Sequence, residues 1–173
     1  MNNELIIREA LEQDSKMIWQ WWNDPVTRMM MKLNDHVPWE EHCRWFERVL
    51  QDDTRVLCIG SVQNEGVGVV RFDWKAPQVY EVSINLNPAF RGRKLAPQLI
   101  TSGIDHLLVK LPVSKLFATL KRINQPCMRS FASAGFTFRE PPICDHAGLE
   151  RFLPDAELYC DRYFSNASPG NNV

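Results

Sequence analysis

The 173-residue sequence holds five Cys but no C-x-x-C pair. At positions 43, 58, 127, 144 and 160, they match neither a zinc-ribbon spacing nor a dithiol redox motif. Cys144 and His146 form a lone C-x-H with no second pair, so no metal is expected. Reduced thiols in a cytoplasmic protein are the expectation. Long apolar runs are missing as well. The longest is four residues, Val56 to Ile59, against the roughly 20 that a membrane helix needs. The start, Met-Asn-Asn-Glu-Leu, has neither the basic residues nor the apolar stretch of a secretory leader. Net charge is nearly absent: 20 Lys and Arg against 21 Asp and Glu leave -1. That argues against a generally basic nucleic-acid binder. Neither a membrane nor a nucleic acid is expected as partner.

What remains is a globular composition, 45% hydrophobic and 24% charged. At roughly 150 residues per domain, one domain over residues 1–164 is expected, with a polar tail at 165–173. The near-neutral total conceals an uneven distribution. Residues 87–122 carry seven basic residues and one acidic, Asp105, for a net +6. Residues 1–55 carry seven basic and 11 acidic residues, net -4. A basic segment in a neutral chain suits a small anionic ligand, although a solvated charged face has the same composition. Five of the six Trp (19, 21, 22, 39 and 45) fall in the first 45 residues.

Patterning predicts a mixed α/β domain in the order β-α-α-β-β-β-α-β-α-β-β. Residues 5–8 read as a strand. Asp14 or Ser15 is expected to cap a helix through Trp22, with Asn23-Asp24-Pro25 as its stop. Pro38 and Trp39 open a helix to about Leu50. Residues 56–62 and 67–74 form a hairpin about Gln63-Asn64-Glu65-Gly66. Residues 79–86 alternate, with Tyr80, Val82, Ile84 and Leu86 on one face and Glu81, Ser83 and Asn85 on the other. A helix over 95–109, a strand over 115–120, a helix over 126–134 stopped by Gly135, and strands at 136–140 and 157–163 complete the order.

The chemistry concentrates at residues 84–97. A strand runs through Asn87-Pro88 into Arg91-Gly92-Arg93-Lys94-Leu95-Ala96-Pro97. Pro97 fits only the first turn of a helix, so the helix starts near Lys94. The amides of about residues 92–96 are then free of intrahelical partners and lie at the positive end of the dipole. Gly92 lets a ligand approach the backbone. Free amides with three cations in four residues suit a phosphate or pyrophosphate.

This run, Arg91-x-x-Lys94-x-Ala96 after a strand, resembles motif A of the GNAT superfamily, Q/R-x-x-G-x-G/A, with Lys94 in place of the central Gly. Asn124-x-x-Cys127-x-x-x-Phe131-x-x-x-Gly135-Phe136 resembles the same family's N-x-x-S-x-x-x-Y-x-x-x-G-F segment. The resemblance covers about residues 5–140. It implies a single GNAT-like α/β domain, a mixed twisted sheet of six to seven strands with about four helices, acting as an acetyl-coenzyme A-dependent N-acetyltransferase. It implies pyrophosphate on the amides of Arg91, Gly92, Arg93, Lys94, Leu95 and Ala96. Pantetheine would lie along Ile84, Asn85 and Leu86, and Asn124 and Arg129 would also meet the cofactor.

An ammonium group must lose a proton before it attacks a thioester, and the leaving thiolate must gain one. Glu81 and His42 are candidate bases, each with a plain reading as a surface residue. The N–H near Leu86 is a candidate oxyanion donor. Phe131 replaces the family's usual Tyr acid, which leaves Cys127 and Ser130 as substitutes, with helix packing and capping as their ordinary roles, or an unassisted departure of the thiolate.

Trp22-Asn23-Asp24-Pro25-x-x-Arg28 followed by Trp39-x-x-His42-x-x-Trp45-Phe46 resembles the GNAT branch that acetylates aminosugars, including nucleotide-linked ones of the pseudaminic acid pathway. That implies Trp22, Arg28, His42 and Trp45 around a UDP-linked aminosugar, in a monomer or homodimer. The Trp rings also suit the core, and Arg28 suits an i, i+4 pair with Asp24. Polyamine or protein N-terminal acetylation, and a non-catalytic acetyl-coenzyme A sensor, are the alternatives.

Overall fold

The computed structural model describes residues 4–31, 35–139 and 157–165. The Cys144–His146 pair, the 141–156 segment and nearly all of the polar tail lie outside them.

Among the described residues, seven strands form one mixed sheet in the order β1-β2-β3-β4-β5-β7-β6. They are β1 (Ile6–Glu9), β2 (Arg55–Val62), β3 (Glu65–Ala76), β4 (Val79–Leu86), β5 (Lys115–Lys121), β6 (Thr137–Arg139) and β7 (Glu157–Tyr163). Neighbours are antiparallel except β4 and β5, which are parallel. A parallel pair needs a long crossover, which α4 (Leu95–Lys110) supplies. The hairpin between β2 and β3 turns on Gln63 and Asn64, both with positive φ (52° and 67°), the geometry of a type I′ turn.

Among the described residues, five helices cover the sheet. α1 (Ser15–Trp22), α2 (Pro25–Met30) and α3 (Trp39–Leu50) precede β2; α4 and α5 (Gln125–Ser133) flank β5. The expected alternation along β4 divides two cores. Tyr80 and Val82, with Ile84 and Leu86 beside them, join Leu99, Ile104 and Phe131 under α4 and α5. On the other face Leu57, Ile59 and Val69 meet Ile18, Phe46 and Val49 of α1 and α3. At Gly103 a Cβ would come within 2.4 Å of Val70 Cγ1, so only glycine lets α4 sit this close to β3.

Two local expectations are corrected. Asn23-Asp24-Pro25 ends α1 but also starts α2. Asp24 Oδ2 accepts from Thr27 N at 2.9 Å, and Pro25 occupies the first helical position. Asp14 occupies the N-cap position of α1 but makes no side-chain cap bond to it. Its buried carboxylate takes both Arg8 nitrogens at 2.7 Å and Leu11 N at 2.8 Å, which ties β1 to the turn before α1. No helix among the described residues is long and apolar enough to cross a membrane.

Candidate active site

β4 and β5 pair over only three positions, Val79↔Lys115, Tyr80↔Leu116 and Glu81↔Phe117. Beyond Glu81 the strands part. The Asn87 N to Val67 O bond, read along the ladder, makes Asn85, Ser83 and Glu81 the residues bonded to β3. Ile84 and Leu86 therefore turn their N–H and C=O groups away from β3, into the gap. This separates three residues that the sequence groups together. Asn85 gives its backbone to β3, and its side chain is turned to the α2 face, 7% exposed.

The loop after β4 closes this gap at one end. Gly92 (φ 76°) and Lys94 (φ 59°, ψ 25°) are both left-handed, and α4 begins at Leu95 with no side-chain cap. Lys94 thus holds a backbone conformation that favours glycine, the residue usual at this motif position. No atom lies within 4 Å of where a Gly92 Cβ would stand. The first-turn amides, Leu95 and Ala96 included, have no intrahelical acceptor. Open space at Gly92, uncapped amides and the free edge of β4 fit a pyrophosphate with an extended arm.

The cations of the loop are not equivalent. Arg91 turns back to α2, with Nη2 2.5 Å from Asp24 Oδ2 and 2.7 Å from Thr27 Oγ1. Thr27 Oγ1 in turn donates to Asn85 Oδ1 at 3.2 Å. Burial raises the Asp24 pKa, but the bonds from Arg91 and Thr27 outweigh it and hold the carboxyl below its ordinary range. The Arg93 guanidinium lies 4.7 Å over the Phe90 ring. On the far side, Lys121 Nζ of β5 donates to Met29 O at 2.9 Å. The short helix α2 thereby bridges the parted strands, bonded to β4 through Thr27 and to β5 through Met29.

At α5, Asn124 Oδ1 caps the helix by accepting from Cys127 N at 3.2 Å. Burial pushes the Cys127 thiol up to about 12. A donor that weak protonates an ordinary thiolate, near 8.5, only uphill. Ser130 Oγ donates to Pro126 O at 2.8 Å. Phe131 is buried edge-on to Phe136, with centroids 5.0 Å apart. Arg129 is exposed.

On the α3 face a cleft of about 440 Å³ opens beside the point where the strands part. Asp73 and Glu81 face each other across β3 and β4 within it. Arg71 Nε binds Asp73 Oδ2 at 2.8 Å, and Lys75 Nζ binds Glu81 Oε2 at 2.8 Å. The Arg71 guanidinium also lies 5.7 Å from the ring centroids of both Trp22 and Trp45. Trp45 lines the cleft; Trp22 lies behind it, 5.3 Å from Trp45. Arg48 and Arg55 line the same space. None of these four basic residues was singled out by sequence, because α3, β2 and β3 bring them together only on folding.

Two expected acceptor residues prove to be buried. His42 is 3% exposed, stacked on Phe46 at 5.6 Å, with Nε2 2.9 Å from Ser15 O. Burial lowers its pKa and outweighs the Ser15 carbonyl, which raises it. A helix-surface histidine is thus replaced by an interior staple between α1 and α3. Arg28 is 8% exposed, and Asp24, its expected i, i+4 partner, is engaged by Arg91 instead.

A sequence model described as acetyltransferase (GNAT) domain matches residues 4–137. The chain belongs to this family. It is a coenzyme A-dependent N-acetyltransferase, with acetyl-coenzyme A as donor. Among individual proteins, it is 22% identical over 129 residues to acetyltransferase PseH of Campylobacter jejuni subsp. jejuni, covering 75% of this chain and 80% of that one. The fold is similar to spermidine N-acetyltransferase from Vibrio cholerae in complex with CoA and spermine. That match has a TM-score of 0.78 and 15% identity, and covers 94% of this chain and 96% of the other. Aminoglycoside acetyltransferase AAC(6')-Ib with coenzyme A and kanamycin follows at TM-score 0.74 and 16% identity, over 92% and 95%. At these identities the likeness to solved structures establishes the fold.

Proposed function

We propose that this GNAT enzyme acetylates the primary amine of a nucleotide-linked aminosugar by direct attack in a ternary complex. The observation that carries the reading is the position of Glu81. It is the last β4 residue paired to β5, and it also lines the α3-side cleft. A group there meets both the thioester end of a cofactor laid along the β4 edge and an amine entering from the cleft. Sequence similarity to PseH supports the aminosugar as acceptor. The Vibrio cholerae neighbour was solved with spermine, which keeps a polyamine as the second reading.

In this reading Glu81 takes a proton from the ammonium group, and the freed nitrogen attacks the thioester carbonyl carbon. A C–N bond forms, the oxyanion accepts the backbone N–H of Ile84 or Leu86, and the C–S bond breaks. The attacking nitrogen gives its second proton to solvent as the amide forms, and the thiolate takes a proton from solvent rather than from Cys127 or Ser130. Most of the rate comes from holding amine and thioester in line. The cofactor pyrophosphate rests on the loop from Arg91 to Ala96. The enzyme works in the cytoplasm.

The test is thiol release from acetyl-coenzyme A over a panel of UDP-aminosugars, spermidine and spermine, and N-terminal peptides. Turnover confined to UDP-aminosugars is expected. Turnover confined to polyamines or peptides overturns the acceptor assignment. Stabilisation by coenzyme A with no turnover on any amine leaves a sensor instead.

A further inference from the structure

The charges inside the α3-side cleft are unbalanced. Four cations, Arg48, Arg55, Arg71 and Lys75, stand there against two carboxylates, Asp73 and Glu81. The surplus is two, or one when Asp52, which bonds Arg55 from outside at 3.0 Å, is counted. The acidic excess of residues 1–55 therefore does not gather here, and the cleft repels a polycation.

The cations also divide by position. Arg71 is committed to Asp73 and the two Trp rings, and its side chain is only 21% exposed. Lys75 faces Glu81. Arg48, on the last turn of α3, is exposed and has no ion pair among the described residues. Arg55 is shared between Asp52 and, at 3.4 Å, Asp73. A ligand in this cleft thus meets Arg48, which is exposed, Arg55, which is only shared at 3.0–3.4 Å, and the Trp45 ring, beside the more tightly paired Arg71–Asp73 and Lys75–Glu81.

The geometry points to a diphosphate subsite at Arg48 and Arg55, placed so that a sugar against Trp45 presents its amine to Glu81. It rests on the aminosugar reading above and adds where the nucleotide end is held. Planar guanidinium groups pair with phosphate oxygens in bidentate fashion, and Trp faces suit the apolar side of a sugar ring. A volume of about 440 Å³ lies within the usual range for a small-molecule site. Arg28, expected beside the acceptor, is 8% exposed and does not line this cleft.

The experiment is calorimetric titration of the full chain with UDP while coenzyme A is held saturating, so that the α4 loop is filled. UDP is expected to bind, to compete with the acceptor but not with acetyl-coenzyme A, and to bind far better than uridine. Arg48→Gln is expected to weaken UDP about tenfold, and Arg48→Glu to weaken it further. Because Arg48 is exposed, both variants keep the parental melting temperature. Arg55→Gln serves as a second variant, read only if its melting temperature is also kept. Absence of UDP binding, or binding equal in the parent and Arg48→Glu, overturns the subsite. Acetylation of a UDP-aminosugar with unaltered KM in Arg48→Glu overturns the subsite and leaves the acceptor reading standing. Arg48-dependent UDP binding with no aminosugar turnover does the reverse.

Discussion

Arg91, the first residue of the Arg91-x-x-Lys94-x-Ala96 motif, is bonded to Asp24, the helix-capping residue of the Trp-Asn-Asp segment. Two motifs read separately from sequence are thus one bonded unit. Its third member is Thr27, whose hydroxyl passes the contact to Asn85 on β4. Arg91→Ala removes two charge-assisted hydrogen bonds. Net losses for such bonds run about 1.5–3 kcal/mol, and partial exposure of the pair places this one near the low end. Arg93→Ala, on an exposed arm, stays within about 0.5 kcal/mol. Denaturant midpoints of the two variants separate the roles. Equal stability in both means that the Arg91–Asp24 bond does not hold in solution. Acetyl-coenzyme A KM rises in both variants, with less effect on kcat.

Lys94 departs from the family motif in side chain while holding a left-handed backbone. Its φ of 59° is one that an L-residue adopts at a cost of about 1–2 kcal/mol and glycine at almost none. Added freedom in the unfolded chain cancels part of the gain. Lys94→Gly is expected to raise stability by up to about 1 kcal/mol, and Lys94→Val to lower it by more than that. Comparing acetyl-coenzyme A KM in Lys94→Gly and Lys94→Arg isolates the charge. A Lys94→Gly variant less stable than the parent contradicts the left-handed assignment.

His42 gives the protein a pH-dependent stability. Its folded pKa lies below the ordinary value because burial disfavours the imidazolium. The unfolded chain therefore binds the proton more readily. The His42 contribution is fully present above about pH 6.5 and is lost as pH falls through the lowered folded value. Unfolding free energy measured from pH 7.5 down to 5 declines with a slope of up to one proton. His42→Gln, which keeps a donor for Ser15 O, is expected to be less stable at pH 7.5 but to show a shallower slope. An unchanged slope assigns the decline to other groups.

Local pattern was enough to read the faces of β4, the start of α4 and the stop at Gly135. Those features depend on residues a few positions apart. α2 was missed because Asp-Pro both ends one helix and starts the next; only the Asp24 to Thr27 bond distinguishes the two. His42 sits among Glu40, Glu41 and Arg44, so its neighbours in sequence suggest water. What buries it arrives from α1, 27 residues earlier in the chain. The +6 segment was only partly a ligand signal. Lys110 pairs with Glu9, Lys121 bonds Met29 O, and Lys115 lies over the Tyr159 and Tyr163 rings. Conversely, the cleft's cations were invisible as a group, because cross-strand pairing brings Arg55, Arg71 and Lys75 together.

Glu81 is where the proposed mechanism is most exposed to test. It stands opposite Asp73 in the β3–β4 register, and Lys75 Nζ is 2.8 Å from its carboxylate. Glu81→Gln preserves shape and removes the proton acceptor. If Glu81 is the base, kcat falls about 10²–10⁴-fold while acetyl-coenzyme A KM stays unchanged. The rate then regains speed at alkaline pH only as the amine loses its own proton in water. Lys75→Gln, by contrast, leaves the carboxylate in place, so its kcat is expected to stay well above that of Glu81→Gln. A Glu81→Gln enzyme with the parental kcat and pH profile removes Glu81 from the role. Asp73, directly across the strand pair, is then the next carboxylate to replace.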